Sequence, residues 1–301
     1  MSHTLPPLLV HSLICHQHVA LGIQCLPSLF RCSDRAIDLH LHDDGSLTPE
    51  DNSALRSAFP TATLISREEA DQVASERLRS FPRCLEFRQR CSMTLKLFDP
   101  LLAGRDPYLL LDTDILFFNP FENLFDAPPG CAIIYMEDYV YSYALTPWDM
   151  IAHKDLRAVR GLNAGMMFVQ AGQIDLEFIE YLYRKGPRLT SGHPGEQTTW
   201  AILANKLGAR KWNPRQVSIV NDRFHAGPDQ IAAHFVSPSR HRLNEFAALA
   251  SAGSPGRRVQ AQLEEADAFN SAGMTYDYAK MTIHNRLYRL RESFRPRANP
   301  A

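Results

Sequence analysis

The chain has 301 residues, 45% of them hydrophobic, and a formal net charge of −1. That is enough apolar side chain for one large α/β domain or two smaller ones. The near-zero charge excludes the global basic field that draws proteins to nucleic acid, and no apolar run approaches the ~20 residues of a membrane-spanning helix.

In chain order, residues 8–15 predict a first strand and residues 18–31 a helix, with Val19, Leu21, Ile23, Leu26, Leu29 and Phe30 at its apolar positions. Pro27 lies inside that helix and predicts a kink or break, because it has no amide N–H to donate and its ring crowds the preceding turn. His11, His16 and His18 interrupt the N-terminal apolar stretch, and no Lys or Arg precedes it. It reads as a strand and helix rather than a signal peptide. Residues 36–42 alternate as a second strand and end in the turn cluster Asp43-Asp44-Gly45-Ser46. His40 and His42 share one face of that strand. Thr48-Pro49-Glu50-Asp51 opens a helix, with Thr48 as N-cap, proline at the first position and acids in the first turn. Residues 62–65 form a short third strand and 68–79 a polar helix. Residues 84–97 form a more amphipathic helix, which Asp99-Pro100 should end. The six cysteines (Cys15, Cys25, Cys32, Cys84, Cys91, Cys131) show neither a C-x-x-C pair nor a zinc spacing. They are expected as free thiols of a cytoplasmic protein.

The most informative stretch comes next. Tyr108-Leu109-Leu110-Leu111 is a buried strand, and Asp112-Thr113-Asp114 follows it directly. Side chains alternate along an extended chain, so two acids one residue apart point the same way. They surface at the carboxyl end of a strand, where open α/β sheets place their ligands. Two hard oxygen ligands there suit Mg²⁺ or Mn²⁺ carrying a substrate's phosphates.

Residues 131–136 are another apolar strand, and 139–161 are aromatic and irregular. Leu162-Asn163-Ala164-Gly165 is a loop leading into a strand at 166–169. Helices follow at 174–184 and 196–207, then short apolar pieces at 217–220 and 232–236. Alternating strands and helices argue for a mostly parallel sheet with helices on both faces. Beyond about residue 244 the chain becomes Ala-rich and charged, with a break at Ser254-Pro255-Gly256. It ends in a basic stretch holding Arg286, Arg289, Arg291, Arg295 and Arg297.

Taken together, the ordered features resemble the GT-A fold glycosyltransferases, in particular the branch containing glycogenin and the bacterial lipopolysaccharide galactosyltransferases. The features are the α/β first half, the Asp-x-Asp, Asn-Ala-Gly before a strand, Glu196-Gln197 opening a helix, and His234 after a short apolar piece. The resemblance covers roughly residues 8–240. It implies a GT-A domain over 1–243, with a mostly parallel central sheet flanked by helices, and a helical C-terminal extension over 244–301. It also implies a nucleotide-sugar donor, UDP-linked in first place, a carbohydrate or glycoconjugate acceptor, and transfer with retention. Asp112 and Asp114 match the pair that holds Mn²⁺ (or Mg²⁺) and, through it, the donor diphosphate, with Asp112 and Thr113 also at the substrate. His234 matches the third metal ligand. The branch continues after this histidine with Gly and then Lys-Pro-Trp, whereas Ser237-Pro238-Ser239-Arg240-His241 stands here. His241 is therefore an alternative ligand, and Arg240 or Arg242 an alternative diphosphate contact.

Lys96 matches a basic residue that reaches the donor, and Arg90 lies six residues earlier, close to two helical turns. Asn163, Ala164 and Gly165 match the loop at the sugar pocket, and Glu196 and Gln197 match the catalytic Asp-Gln pair. Asp43 and Asp44 match acids that bind the nucleoside. An inverting enzyme would need a general base, for which Asp138, Asp149 and Glu196 are candidates. The aromatic segment 135–148 is a candidate acceptor wall. The basic tail is a candidate for peripheral membrane contact on the cytoplasmic face. Three rival readings are a nucleotidyltransferase, an aspartate phosphohydrolase and a sugar-nucleotide-binding protein with a degenerate site. The first lacks its glycine-rich basic loop after the first strand. The second expects Thr or Val where Leu116 stands.

Overall fold

The computed structural model describes residues 6–190, 192, 194–252 and 258–293. In chain order the strands are β1 (Leu8–Ile14), β2 (Ile37–Asp43), β3 (Thr63–Ile65), β4 (Tyr108–Leu111), β5 (Ile115–Phe117), β6 (Phe121–Glu122) and β7 (Ile133–Glu137). They continue with β8 (Leu162–Val169), β9 (Ala209–Trp212), β10 (Val217–Ile219), β11 (Ala232–His234), β12 (Val259–Gln260) and β13 (Leu263–Glu265). Eight of them form one sheet in the order β13-β9-β7-β8-β4-β1-β2-β3, and a small sheet pairs β10-β11-β5.

The first four strands of the large sheet are parallel, as the alternating pattern predicts. β8 runs antiparallel to both β4 and β7, so the sheet as a whole is mixed. Each central strand is apolar on both faces because helices cover both. Tyr108 and Leu110 enter one apolar cluster, Leu109 and Leu111 the other. Ile133 and Tyr135 against Ile134 and Met136 repeat the division on β7.

Local signals hold where they are strong. The helix expected to fail at Pro27 is two helices, Val19–Cys25 and Pro27–Cys32. Thr48 caps Pro49–Ala58 reciprocally: its Oγ1 accepts from the Asp51 N–H at 3.2 Å, and the Asp51 carboxylate accepts from the Thr48 N–H at 2.9 Å.

Three expectations fail. The helix expected over 84–97 is Pro82–Arg90, broken at extended Cys91, followed by Leu95–Ala103 with Pro100 inside it. Pro100 removes one backbone hydrogen bond, and burial of Leu95, Leu97, Phe98 and Leu102 offsets that loss. The Asn163-Ala164-Gly165 loop is instead the N-terminal half of β8. It faces a shift of register between Tyr135 and Met136 of β7. The C-terminal extension is not purely helical: besides helices Leu243–Ala252 and Ser271–Ser293 it supplies β12 against β6 and β13 at the sheet edge. The expected break at 254–256 and the basic residues Arg295 and Arg297 lie outside the described residues. Within them, no helix is long and apolar enough to cross a membrane, and all six cysteines are free.

One buried feature is polar. His11 on β1 and His40 and His42 on β2 lie under helices Arg67–Arg77 and Leu95–Ala103. His11 Nδ1 and His42 Nε2 are 2.8 Å apart, and the Tyr108 ring stands edge-on to His11 at 5.1 Å. His11 Nε2, His42 Nδ1, His40 Nδ1 and the Tyr108 hydroxyl have no hydrogen-bond partner among the described residues.

Candidate active site

The carboxyl ends of β1, β2 and β4 open into a cleft of about 740 Å³, within the range of small-molecule sites. The turn Asp112-Thr113-Asp114 forms its floor and is fastened on both sides. The Asp112 N–H donates to the Gly165 carbonyl at 2.7 Å, and the Phe235 N–H donates to the Asp114 carbonyl at 2.9 Å. β5 pairs antiparallel with β11, which sets His234 opposite Ile115 and beside both acids. Strand pairing, not sequence proximity, brings the imidazole here.

Each carboxylate has one oxygen tied back by a cation. Asp112 Oδ1 lies 2.6 Å from Lys96 Nζ. Asp114 Oδ2 accepts from Arg240 Nη2 at 2.8 Å and Nε at 2.9 Å. The remaining oxygens face His234 Nε2, Asp114 Oδ1 at 3.0 Å and Asp112 Oδ2 at 3.8 Å. One ligand atom from each residue lies within 4.8 Å of the others. His234 Nδ1 lies 3.2 Å from Asn163 Oδ1, an acceptor that turns Nε2 toward the carboxylates. Two hard oxygens and an imidazole, oriented from behind, suit a divalent cation of the Mn²⁺ type.

The electrostatics are strongly coupled. Burial opposes charge on Asp114, but the His234 imidazole and the Arg240 guanidinium outweigh it and hold the carboxyl well below its ordinary range. Burial likewise opposes a proton on His234, and the two carboxylates overcome it, raising its pKa. Lys96 behaves in the same way: burial disfavours its charge, while Asp112 and Glu196 restore it and raise its pKa.

Gly165 is required by space. A Cβ there would overlap the His234 ring, 2.5 Å from Nδ1, and approach Asn163 Oδ1 at 2.9 Å. Gly165→Ala is therefore expected to cost about 1–3 kcal/mol in stability and to displace the imidazole. Denaturation together with Mn²⁺ titration checks this, and a variant with wild-type metal affinity would show that the ring position does not matter.

Glu196 lies in the first turn of helix Pro194–Leu207, 3% exposed. Burial pushes its carboxyl up to about 7, with Lys96 pulling down and Asp112 pushing up. Its Oε1 has no hydrogen-bond partner among the described residues. Gln197 spans two walls: its Oε1 accepts from the Ala164 N–H at 3.2 Å and its Nε2 donates to the Ser142 carbonyl at 3.4 Å. Asn163 Nδ2 donates to Asp138 Oδ2 at 3.2 Å, and burial raises the Asp138 pKa.

Of the sequence candidates, Asp44, Lys96, Asp112, Thr113, Asp114, Asn163, Ala164, Gly165, Glu196, Gln197 and His234 all line the cleft. Asp43 does not line it and serves the turn, its Oδ1 accepting from the Gly45 N–H at 2.7 Å. Arg90 is also outside, bonded to Glu86 and to the Thr190 carbonyl, because the break at Cys91 takes it off the Lys96 helix. His241 hydrogen-bonds the Pro238 carbonyl and Arg242 pairs with Glu245, and neither lines the cleft. Of these two pairs, His234 and Arg240 are the members that line the cleft. Asp149 is occupied as well, capping its own helix through Thr146. His18, 2.9 Å from Arg240 Nη1, is a cleft residue the sequence pattern does not mark. Its position just after β1, at the same end of the sheet as Asp112, is the signal that would have found it.

No protein-family model matches the sequence, and no curated protein matches it. Solved structures do. Mouse xyloside xylosyltransferase 1 in its apo form aligns with a TM-score of 0.54 at 14% identity, over 78% of this chain and 99% of that one. The galactosyltransferase LgtC, solved with donor and acceptor sugar analogues, aligns with a TM-score of 0.53 at 16% identity, over 81% of this chain and 96% of that one. The glycosyltransferase GlyE of Streptococcus pneumoniae TIGR4 aligns with a TM-score of 0.52 at 12% identity, over 82% of this chain and 63% of that one. With its mixed sheet, flanking helices and acid-bearing turn after the central strand, the chain has the GT-A fold of these glycosyltransferases.

Proposed function

We propose that the protein is a metal-dependent glycosyltransferase that moves a sugar from a nucleotide-diphosphate sugar, a UDP-sugar in first place, to a carbohydrate or glycoconjugate acceptor. The observation that carries this reading is the convergence of Asp112, Asp114 and His234, within 4.8 Å of one another, on the floor of the cleft. Asp112 Oδ2, Asp114 Oδ1 and His234 Nε2 would hold Mn²⁺ (or Mg²⁺). When bound, such an ion stabilises negative charge on the departing diphosphate.

The chain's own groups do the rest. Lys96 and Arg240 fix the outer carboxylate oxygens, and Arg240 also presents its guanidinium to the cleft as a contact for diphosphate oxygens. Asp44, just past the end of β2, lines the cleft and is the candidate for the nucleoside. Glu196, which lines the cleft and is electrostatically coupled to Lys96, is the candidate for the donor sugar. Its buried carboxyl excludes water and accepts from sugar hydroxyls. Transfer with retention rests on the resemblance of Glu196-Gln197 to the retaining branch.

The test is thermal stabilisation by UDP and by GDP, each with and without Mn²⁺, on the wild type and Asp114→Asn. A ligand at a hundred times its dissociation constant stabilises the folded state by about 2.7 kcal/mol. A UDP shift that needs Mn²⁺ and vanishes in Asp114→Asn is the expected result. No shift with either nucleotide would overturn the donor-site assignment.

A further inference from the structure

A second cavity, of about 480 Å³, adjoins the cleft. Asp138, Tyr139, Val140 and Ile219 line both, so the two spaces share a wall. The far side of the second cavity is the C-terminal helix Ser271–Ser293, through Met274, Tyr276, Asp277 and Lys280.

That helix is anchored. Arg160 holds Asp277 through Nε at 2.5 Å and Nη2 at 3.0 Å. Met274 is buried in the core, and the Tyr278 ring stands edge-on to Tyr141 at 5.4 Å. The cavity wall is therefore a fixed part of the fold.

Its lining has two aromatic faces to offer. Tyr141 and Tyr143 are committed, their hydroxyls donating to the carbonyls of Leu145 and Val159. Tyr139 is 55% exposed and Tyr276 67% exposed, so their rings remain uncovered. Sugar C–H faces pack on such rings while hydroxyls seek polar neighbours, here Asn221, Ser218 and Asp138.

Charge narrows the occupant. Glu137, Asp138 and Asp277 face the cavity against Arg160 and Lys280. Arg160 is held by Asp277, and Glu137 is paired with Lys211 at 2.7 Å. Among the described lining residues acids outnumber cations three to two, and of the cations Lys280 alone is left without an ion pair, too little to hold a phosphate or carboxylate.

We propose that this cavity is the acceptor subsite and that it takes an uncharged sugar, packed on Tyr139 and Tyr276. This rests on the transferase reading of the adjoining cleft.

The experiment titrates the full chain, with UDP and Mn²⁺ present, with p-nitrophenyl β-glucoside, β-galactoside and β-xyloside. The p-nitrophenyl β-glucuronide serves as the anionic counterpart. At least one neutral glycoside is expected to bind, with the glucuronide about tenfold weaker than the best of them. Tyr276→Ala is expected to weaken that neutral glycoside about tenfold. Leu249→Ala, exposed but lining neither cavity, is the control and should match the wild type. The UDP-dependent thermal shift, read on the same samples, reports folding and the donor cleft separately. Three results each overturn the acceptor assignment: no binding by any neutral glycoside, a glucuronide that binds as tightly, or glycoside binding indifferent to Tyr276→Ala. Tyr276-dependent glycoside binding without any UDP shift would instead overturn the transferase reading and leave a sugar site.

Discussion

Glu196→Gln is expected to make the protein more stable while abolishing its activity. Glu196 is 3% exposed, and burial raises its carboxyl from 4.5 to about 7 against the pull of Lys96. A carboxyl whose folded pKa lies above its unfolded value binds its proton more tightly in the fold. The resulting penalty is absent below pH 4.5, grows as pH rises toward 7 and is complete above it. At about 1.4 kcal/mol per pKa unit, the shift corresponds to about 3 kcal/mol at pH 8. Glutamine keeps the shape and removes the charge. The variant should therefore melt several degrees above the wild type at pH 8 and nearly with it at pH 4.5. Transfer, or donor hydrolysis where no acceptor is supplied, should fall by about a hundredfold or more, because an amide cannot replace the carboxylate's charge at the reacting sugar. Nucleotide binding should persist, since Asp112, Asp114 and His234 are untouched. A variant that gains no stability at pH 8 would show that the carboxylate is well solvated. One that keeps full activity would move the chemistry elsewhere in the cleft.

The buried histidines predict the second large effect, a steep loss of stability in mild acid. Burial pushes His11 down to about 2, helped by His42 and His40, and His42 down to about 3, helped by His40 and Arg88. Arg88 is itself occupied by Asp99 and Asp71 on the neighbouring helices. In the unfolded chain both histidines take up protons near 6.5, whereas in the fold they resist until about 3 or below. Stability is therefore full above pH 6.5 and declines as pH falls from there, by about 1.4 kcal/mol per pH unit for each histidine. Two histidines over two pH units amount to about 5 kcal/mol, comparable to the whole stability of many domains. Urea denaturation at a series of pH values from 7.5 to 4.5 measures the slope. The double variant His11→Leu with His42→Leu removes both titrating groups and should flatten the curve. A wild type equally stable at both ends, or a double variant with the wild-type slope, would refute the account.

These two groups show opposite uses of burial. Glu196 lines the cleft, where its proposed role in transfer would use the charge that burial penalises. The histidine layer lies beneath helix Leu95–Ala103, the helix that carries Lys96 to Asp112. Acid that loosens the layer should release Lys96 as well, and Mn²⁺-dependent UDP binding should fall with the same pH profile as stability.

Sequence alone determined the local features whose signals are short-ranged. The apolar run ending at Leu111 placed the Asp-x-Asp at the end of a central strand. Thr48 and Asp51 defined a helix start, and Pro27 a break. Each depends on backbone hydrogen bonding or side-chain alternation within a few residues. The ordered set Asp112, Asp114, Asn163, Gly165, Glu196 and His234 was legible as a resemblance to the GT-A glycosyltransferases, carried by the order of the motifs rather than by any one of them. What required the tertiary structure was everything that joins distant segments. Only the pairing of β5 with β11 brings His234, and not His241, beside the two acids. Only the chain's return after β11 puts Arg240 on Asp114 and His18, and turns Arg242 away. Arg90 leaves the site because the helix expected to carry it with Lys96 breaks at Cys91, where burial of the following helix outweighs local propensity. Asn163 to Gly165, expected as a loop, became strand because Asn163 pairs with Met136 of β7 on one side and the Gly165 carbonyl accepts from the Asp112 N–H just beyond β4 on the other. Long-range pairing leaves no periodic mark on the segments it joins, and that is why the candidate site residues were readable in order but not in space.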